Sequence, residues 1–109
     1  MRSDRQLGEF ERSILLALVK LGDDAYGVSI RETLEQAIGR DASFGAVYTT
    51  LDRLLQKGMV SARLGDPTPQ RGGRAKKHFR IERKGLEALE RAREASQAMW
   101  SLLPARGQR

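Results

Sequence analysis

The sequence predicts a mainly α fold with a small β ribbon, and three observations carry that expectation. Phe44, Val47, Leu51, Leu54 and Leu55 recur at three and four residue steps, the spacing of one face of a helix. Val60, Ala62 and Leu64, then Phe79 and Ile81, alternate with polar neighbours, the period of two half-buried strands. Leu86, Leu89, Ala92, Ser96, Met99 and Leu103 stand close to 3.5 residues apart, which predicts a last helix with a single apolar stripe.

Taken in order, the first helix is expected from about Leu7 to Leu21, with Leu7, Phe10, Ile14, Ala17, Leu18 and Leu21 inward and Gly22 as its stop. Leu15, Leu16 and Val19 lie partly off that stripe, and a helix apolar over more than one face usually meets two surfaces. Asp23 and Asp24 are expected to cap a second helix, Ala25 to Ile38, with Tyr26, Ile30, Leu34 and Ile38 inward and Gly39 as its end. Four residues, Arg40 to Ser43, then lead into the third helix, Phe44 to Lys57, which has Ser43 as N-cap and Gly58 as stop. So short a connection is that of a helix-turn-helix. The ribbon follows, around the loop Gly65 to Ala75, whose two prolines and three glycines exclude a helix. The last helix is expected from about Arg83 to Leu103, stopped by Pro104. The whole is a winged helix-turn-helix plus a C-terminal dimerisation helix, with residues 1–82 as the winged domain and 83–109 as the dimerisation helix and tail.

Charge is concentrated in the wing. Between Arg71 and Lys84 stand seven Lys or Arg against Glu82 alone, a local balance of +6 equal to that of the whole 109-residue chain. Everything else sums to zero. A cationic ribbon beside an exposed helix suits a duplex phosphate backbone, the alternative being a solvated, self-repelling loop. On the third helix the face opposite the apolar stripe holds Gly45, Ala46, Thr49, Arg53 and Gln56, with Tyr48 and Asp52 on its borders. Small residues allow close approach, and the Thr, Arg, Gln and Tyr side chains are donors that reach phosphates or base edges.

The stretches LGEFERSILLALVKLGDDAYGVSI (Leu7 to Ile30) and FGAVYTTLDRLLQKGMVSARLGDPTPQRGGRAKKHFRI (Phe44 to Ile81) resemble the PadR family of bacterial transcriptional regulators. The resemblance runs over about two thirds of the chain, most specifically in AVYTTLDRL, the following KGMV and GRAKK. It implies a winged helix-turn-helix, a homodimer made by the C-terminal helix packing with the first helix, and usually repression of a nearby promoter. The single C-terminal helix resembles the short members. Leu55-Gln56, His78-Phe79 and Glu82-Arg83-Lys84-Gly85 depart from the family's common residues at those places. In some relatives aromatics at the dimer interface line a ligand pocket, so Trp100, on the flank of the last stripe, is a candidate for a small-molecule inducer site, with packing as the alternative.

The expected function is sequence-specific binding of double-stranded DNA as a homodimer reading an inverted-repeat operator, with repression as the expected outcome. Ser43, Gly45, Tyr48, Thr49 and Arg53 are the candidates on the recognition helix, and Arg71, Arg74, Lys76 and Lys77 on the wing. Leu86, Leu89, Ala92, Ser96, Met99, Trp100 and Leu103 are the expected dimer interface. A protein- or RNA-interaction module on the same scaffold is the alternative, since fold alone does not fix function. No enzyme, cofactor or metal is expected. Cysteine is absent, His78 is the only histidine, and Gly72-Gly73 lacks the pattern of a phosphate-cradling loop. The longest apolar run, Ile14 to Val19, is too short to span a bilayer, and the N-terminal residues lack a signal-peptide core, so a cytoplasmic protein is expected.

Overall fold

The structure is a computed structural model that describes residues 7–65 and 76–106. Its elements are α1 (Glu9–Leu21), α2 (Gly27–Ile38), α3 (Phe44–Gln56), β1 (Val60–Leu64), β2 (Lys77–Ile81) and α4 (Arg83–Trp100). The two strands form an antiparallel ribbon in which Val60 faces Ile81, Ala62 faces Phe79 and Leu64 faces Lys77. This is a winged helix.

Helix α1 begins at Glu9, two residues after the expected start, with Gly8 as its N-cap, and Leu7 packs half-buried against the core. Its end at Gly22 follows the sequence, with φ at +61° in a conformation that favours glycine. Asp23 and Asp24 do not cap α2. They lie in a single 3-10 turn, and Tyr26 is the N-cap instead. The reason is that Ala25 and Tyr26 are drawn out as a third edge to the ribbon. The Phe79 N–H donates to the Ala25 carbonyl at 2.8 Å, and Tyr26 bridges to His78. Extended backbone cannot also be the first turn of a helix. Ser29 restores the missing cap, accepting from the Tyr26 N–H at 3.0 Å.

The end of α2 is closed by Gly39 at φ +66°, with its N–H donating to the Glu35 carbonyl and that of Arg40 to the Leu34 carbonyl. Ile30 and Leu34 are buried as expected. Tyr26 is only half-buried, and Ile38, expected inward, is 58% exposed because the helix has run past the core at its last residue. The turn that follows is held from α2, since Arg31 Nε donates to the Ala42 carbonyl at 2.7 Å.

The core is centred where α1, α2 and α3 meet. Ile14, Leu15, Leu18, Ile30, Val47, Leu51, Leu54 and Met59 are sealed from solvent. Leu15 therefore belongs to the core, while Leu16 and Val19 on the same helix are exposed. In the ribbon only Val60 and Phe79 are buried. Ala62 and Leu64 were expected inward, yet both are exposed, Leu64 by 70%, because among the described residues no helix covers that end of the ribbon.

The last helix ends at Trp100 instead of Leu103, and residues 101–103 continue in turns, with the Leu103 N–H donating to the Trp100 carbonyl. Its start is pressed onto the ribbon. A Cβ on Gly85 would stand 2.6 Å from the Met59 carbonyl oxygen and 2.8 Å from Ile81 Cγ1. In an open helix Gly→Ala gains about 1 kcal/mol. Here Gly85→Ala is expected to destabilise by about 1 to 3 kcal/mol in urea unfolding, because backbone has to move; a stabilised variant would contradict the close approach.

Candidate nucleic-acid interface

Helix α3 starts at Ser43, whose Oγ accepts from the Ala46 N–H at 3.0 Å. That cap leaves Ser43 exposed at the tip of the helix, where it was expected to approach a partner. Val47, Thr50, Leu51 and Leu54 are buried beneath α3, so Gly45, Thr49, Asp52, Arg53 and Gln56 are left outward. The outward face is the one read from the periodicity. Phe44, expected in the core, is not there. It is 42% exposed, stacked beside Tyr48 with ring centroids 6.4 Å apart and covered by the Arg31 guanidinium at 4.3 Å. As the first residue of the helix it lies at the corner with α2, above the layer that Val47 begins.

Tyr48 has a second job. A Cβ on Gly27 would fall 2.2 Å from the Tyr48 hydroxyl oxygen, so the ring lies directly against the start of α2. Its centroid is also 6.3 Å from that of Phe79. Tyr48 thus ties α3 to both α2 and the wing strand, with one edge still exposed.

Of the wing candidates, Arg71 and Arg74 lie outside the described residues. Lys76 and Lys77 are exposed at the start of β2. Each ammonium sits over an aromatic ring, Lys76 Nζ 4.2 Å from the Tyr26 centroid and Lys77 Nζ 5.7 Å from that of Phe79. The rings attract the cations without neutralising them. Arg80, farther from the tip, pairs with Asp23 at 3.1 Å. Its charge is partly spent within the fold.

Periodicity did not reveal the group that holds the other end of α3. Glu11 on α1 is 6% exposed, and its Oε2 accepts from Lys57 Nζ at 3.0 Å, with Arg53 Nη1 at 3.9 Å. Its Oε1 accepts from the Gly8 N–H at 2.9 Å. Burial raises the carboxyl pKa, but the Gly8 N–H and the Lys57 and Arg53 charges outweigh it and hold the group below its ordinary value. The one legible signal was Glu11 three residues after Gly8 at a helix start.

The residues expected at a dimer interface are gathered along α4. Leu86, Met99, Trp100 and Leu103 are exposed, and Leu89, Ala92 and Ser96 are half-buried. With Leu7, Leu16 and Val19 of the α1 side, Leu86, Leu89, Ala92, Ser96 and Met99 line an open groove of about 1060 Å³. Met99 continues it into a shallow cup formed with Trp100, Leu102 and Leu103. Among the described residues no group of three or more His, Cys, Asp or Glu is placed to hold a metal, and no helix is long and apolar enough to cross a membrane.

The family model described as the transcriptional regulator PadR-like family matches residues 15–91. The fold is similar to that of a PadR family transcription regulator from Clostridium difficile, with a TM-score of 0.74 and 20% identity over 88% of this chain and 95% of that one. A PadR-like transcriptional regulator from Bacillus cereus is 24% identical over 89% of this chain and 93% of that one, with a TM-score of 0.67. RosR from H. salinarum is also 24% identical, over 96% of this chain and 84% of that one, with a TM-score of 0.68. At these identities the likeness is one of fold. No curated protein matches the chain.

Because the carboxylate of Glu11 is held below its ordinary pKa of 4.5 in the folded chain, its stabilisation is fully present above that value and is lost as pH falls through the lower folded-state pKa. Glu11→Gln is expected to cost about 1.5 to 3 kcal/mol at neutral pH, with the difference from wild type shrinking below pH 4.5 in urea unfolding. A difference that stays constant with pH would show that the charge contributes nothing. Gly27→Ala tests the other contact. It should displace the Tyr48 ring, read as a change in tyrosine fluorescence or ring proton shifts, and unchanged signals would count against that packing.

Proposed function

The chain belongs to the PadR-like family of transcriptional regulators, and on that premise we propose that it is a cytoplasmic repressor that binds double-stranded DNA as a homodimer and reads an inverted repeat. The observation that carries this reading is the outward face of α3, with Gly45 and Thr49 open to solvent and Tyr48 joining it to the strand that bears Lys76 and Lys77. A helix of this kind enters a major groove while the adjoining cations meet the flanking phosphates. Ser43 and Gly45 make the close approach, and Tyr48, Thr49 and Arg53 reach base edges. Arg71, Arg74, Lys76 and Lys77 hold the wing on the backbone or in the minor groove.

The groove between α1 and α4 supports the second half of the reading. Leu16 and Val19 of α1 and Leu86 and Met99 of α4 stand exposed around one groove, so the apolar stripes of two helices share an open face. The C-terminal helix of a second copy would cover it, making residues 83–109 the dimerisation unit and residues 1–82 the DNA-binding unit. On an inverted repeat, two copies of α3 related by the two-fold axis would enter successive major grooves about 34 Å apart, one helical turn of duplex. The cup at Trp100 then lies at the edge of the seam, where a small-molecule inducer would act.

Selection from randomised duplex DNA at physiological salt tests the reading. The expected result is an enriched inverted repeat with half-sites about one helical turn apart. Salt-sensitive binding that enriches no sequence would move the function to an RNA- or protein-interaction module. On the enriched duplex, Lys76→Ala should weaken binding to all sequences alike and lower the salt slope by about 1, whereas Thr49→Ala should relax one base position by about 1 to 3 kcal/mol. Equal behaviour of the two variants would dissolve the division between wing and helix.

A further inference from the structure

Glu11 is a buried charge that base reading by α3 does not itself require. Both cations beside it come from α3, and they differ in freedom. The Lys57 side chain is 16% exposed and lies at 3.0 Å, whereas that of Arg53 is 51% exposed and lies at 3.9 Å. Lys57 is locked in place. Arg53 is held from one side only, on the outward face and one turn before the end of the helix.

Resting on the DNA-binding reading above, we propose that Glu11 is a specificity-setting residue that withholds the Arg53 guanidinium from the phosphate backbone and keeps it for base edges. A free guanidinium beside a duplex is drawn to the nearest phosphate, a contact without sequence information. Here a phosphate has to compete with a carboxylate that cannot follow the guanidinium outward. Its second oxygen is tied to the Gly8 N–H at 2.9 Å, and its first is tied to Lys57. Losing a cation would leave the buried carboxylate less compensated, which resists release. Glu11 is therefore a positioning residue that acts through Arg53, and it does so from α1, the helix that also lines the α4 groove.

The test is the salt dependence of binding to a duplex of arbitrary sequence, measured on the full chain. Glu11→Gln is expected to tighten that binding and to steepen the slope of log K against log salt by about 0.9, the value of one new phosphate contact. Adding Arg53→Ala to Glu11→Gln should return the slope to the wild-type value. Arg53→Ala alone, with its folding checked by urea unfolding, should lower affinity for the selected operator while its slope on arbitrary duplex stays at wild type. An unchanged or shallower slope in Glu11→Gln, a steepening that survives Arg53→Ala, or a slope lost in the single Arg53→Ala variant would each overturn the proposal while wild-type DNA binding stands. A wild-type chain that binds no duplex would instead remove the reading on which it rests.

Discussion

Burial of Val47, Leu51 and Leu54 beneath α3 is the constraint on which the rest of the structure depends. All three are sealed from solvent in one core with Ile14, Leu15 and Leu18 of α1. At about 1.5 to 3 kcal/mol for each fully buried side chain, no surface ion pair among the described residues competes with that anchorage. Because a helix is rigid, sealing one face decides the other. Gly45, Thr49 and Arg53 face outward because their neighbours at three and four residue steps cannot.

The ends of the helix are set by polar contacts of a different kind. At the N-terminal end Ser43 caps α3, Arg31 holds the Ala42 carbonyl, and the Arg31 guanidinium covers Phe44. At the C-terminal end Lys57 reaches Glu11 across 46 residues of chain. Between them Tyr48 lies on Gly27 and beside Phe79. The outward face is thus attached to α1, α2 and the ribbon separately, so its direction relative to the wing cations is determined at three points.

Charge follows a similar division. Lys76 and Lys77 lie over aromatic rings that do not neutralise them, while Lys57 is committed to Glu11 and the exposed Arg80 is paired with Asp23. Counting cations along the chain treats all of these alike. Their burial and partners separate Lys57, which holds the fold, from the exposed cations at the start of β2.

Periodicity by itself determined the four helices, the ribbon, and the inward and outward faces of α3, because side-chain direction follows from local geometry and needs no partner to be named. Ser43, Gly22, Gly39 and Gly58 were legible as boundaries for the same reason, a cap or a positive φ being a property of a few adjacent residues. Only the tertiary structure decided where each pattern stops mattering. Phe44, Ile38 and Leu64 obey their stripes yet stand at element ends beyond the reach of the core, and Asp23 and Asp24 lose the cap to Tyr26 because β2 recruits Ala25. Glu11 with Lys57, and Gly27 with Tyr48, pair residues far apart in the chain, and no local spacing encodes a distance that folding alone creates.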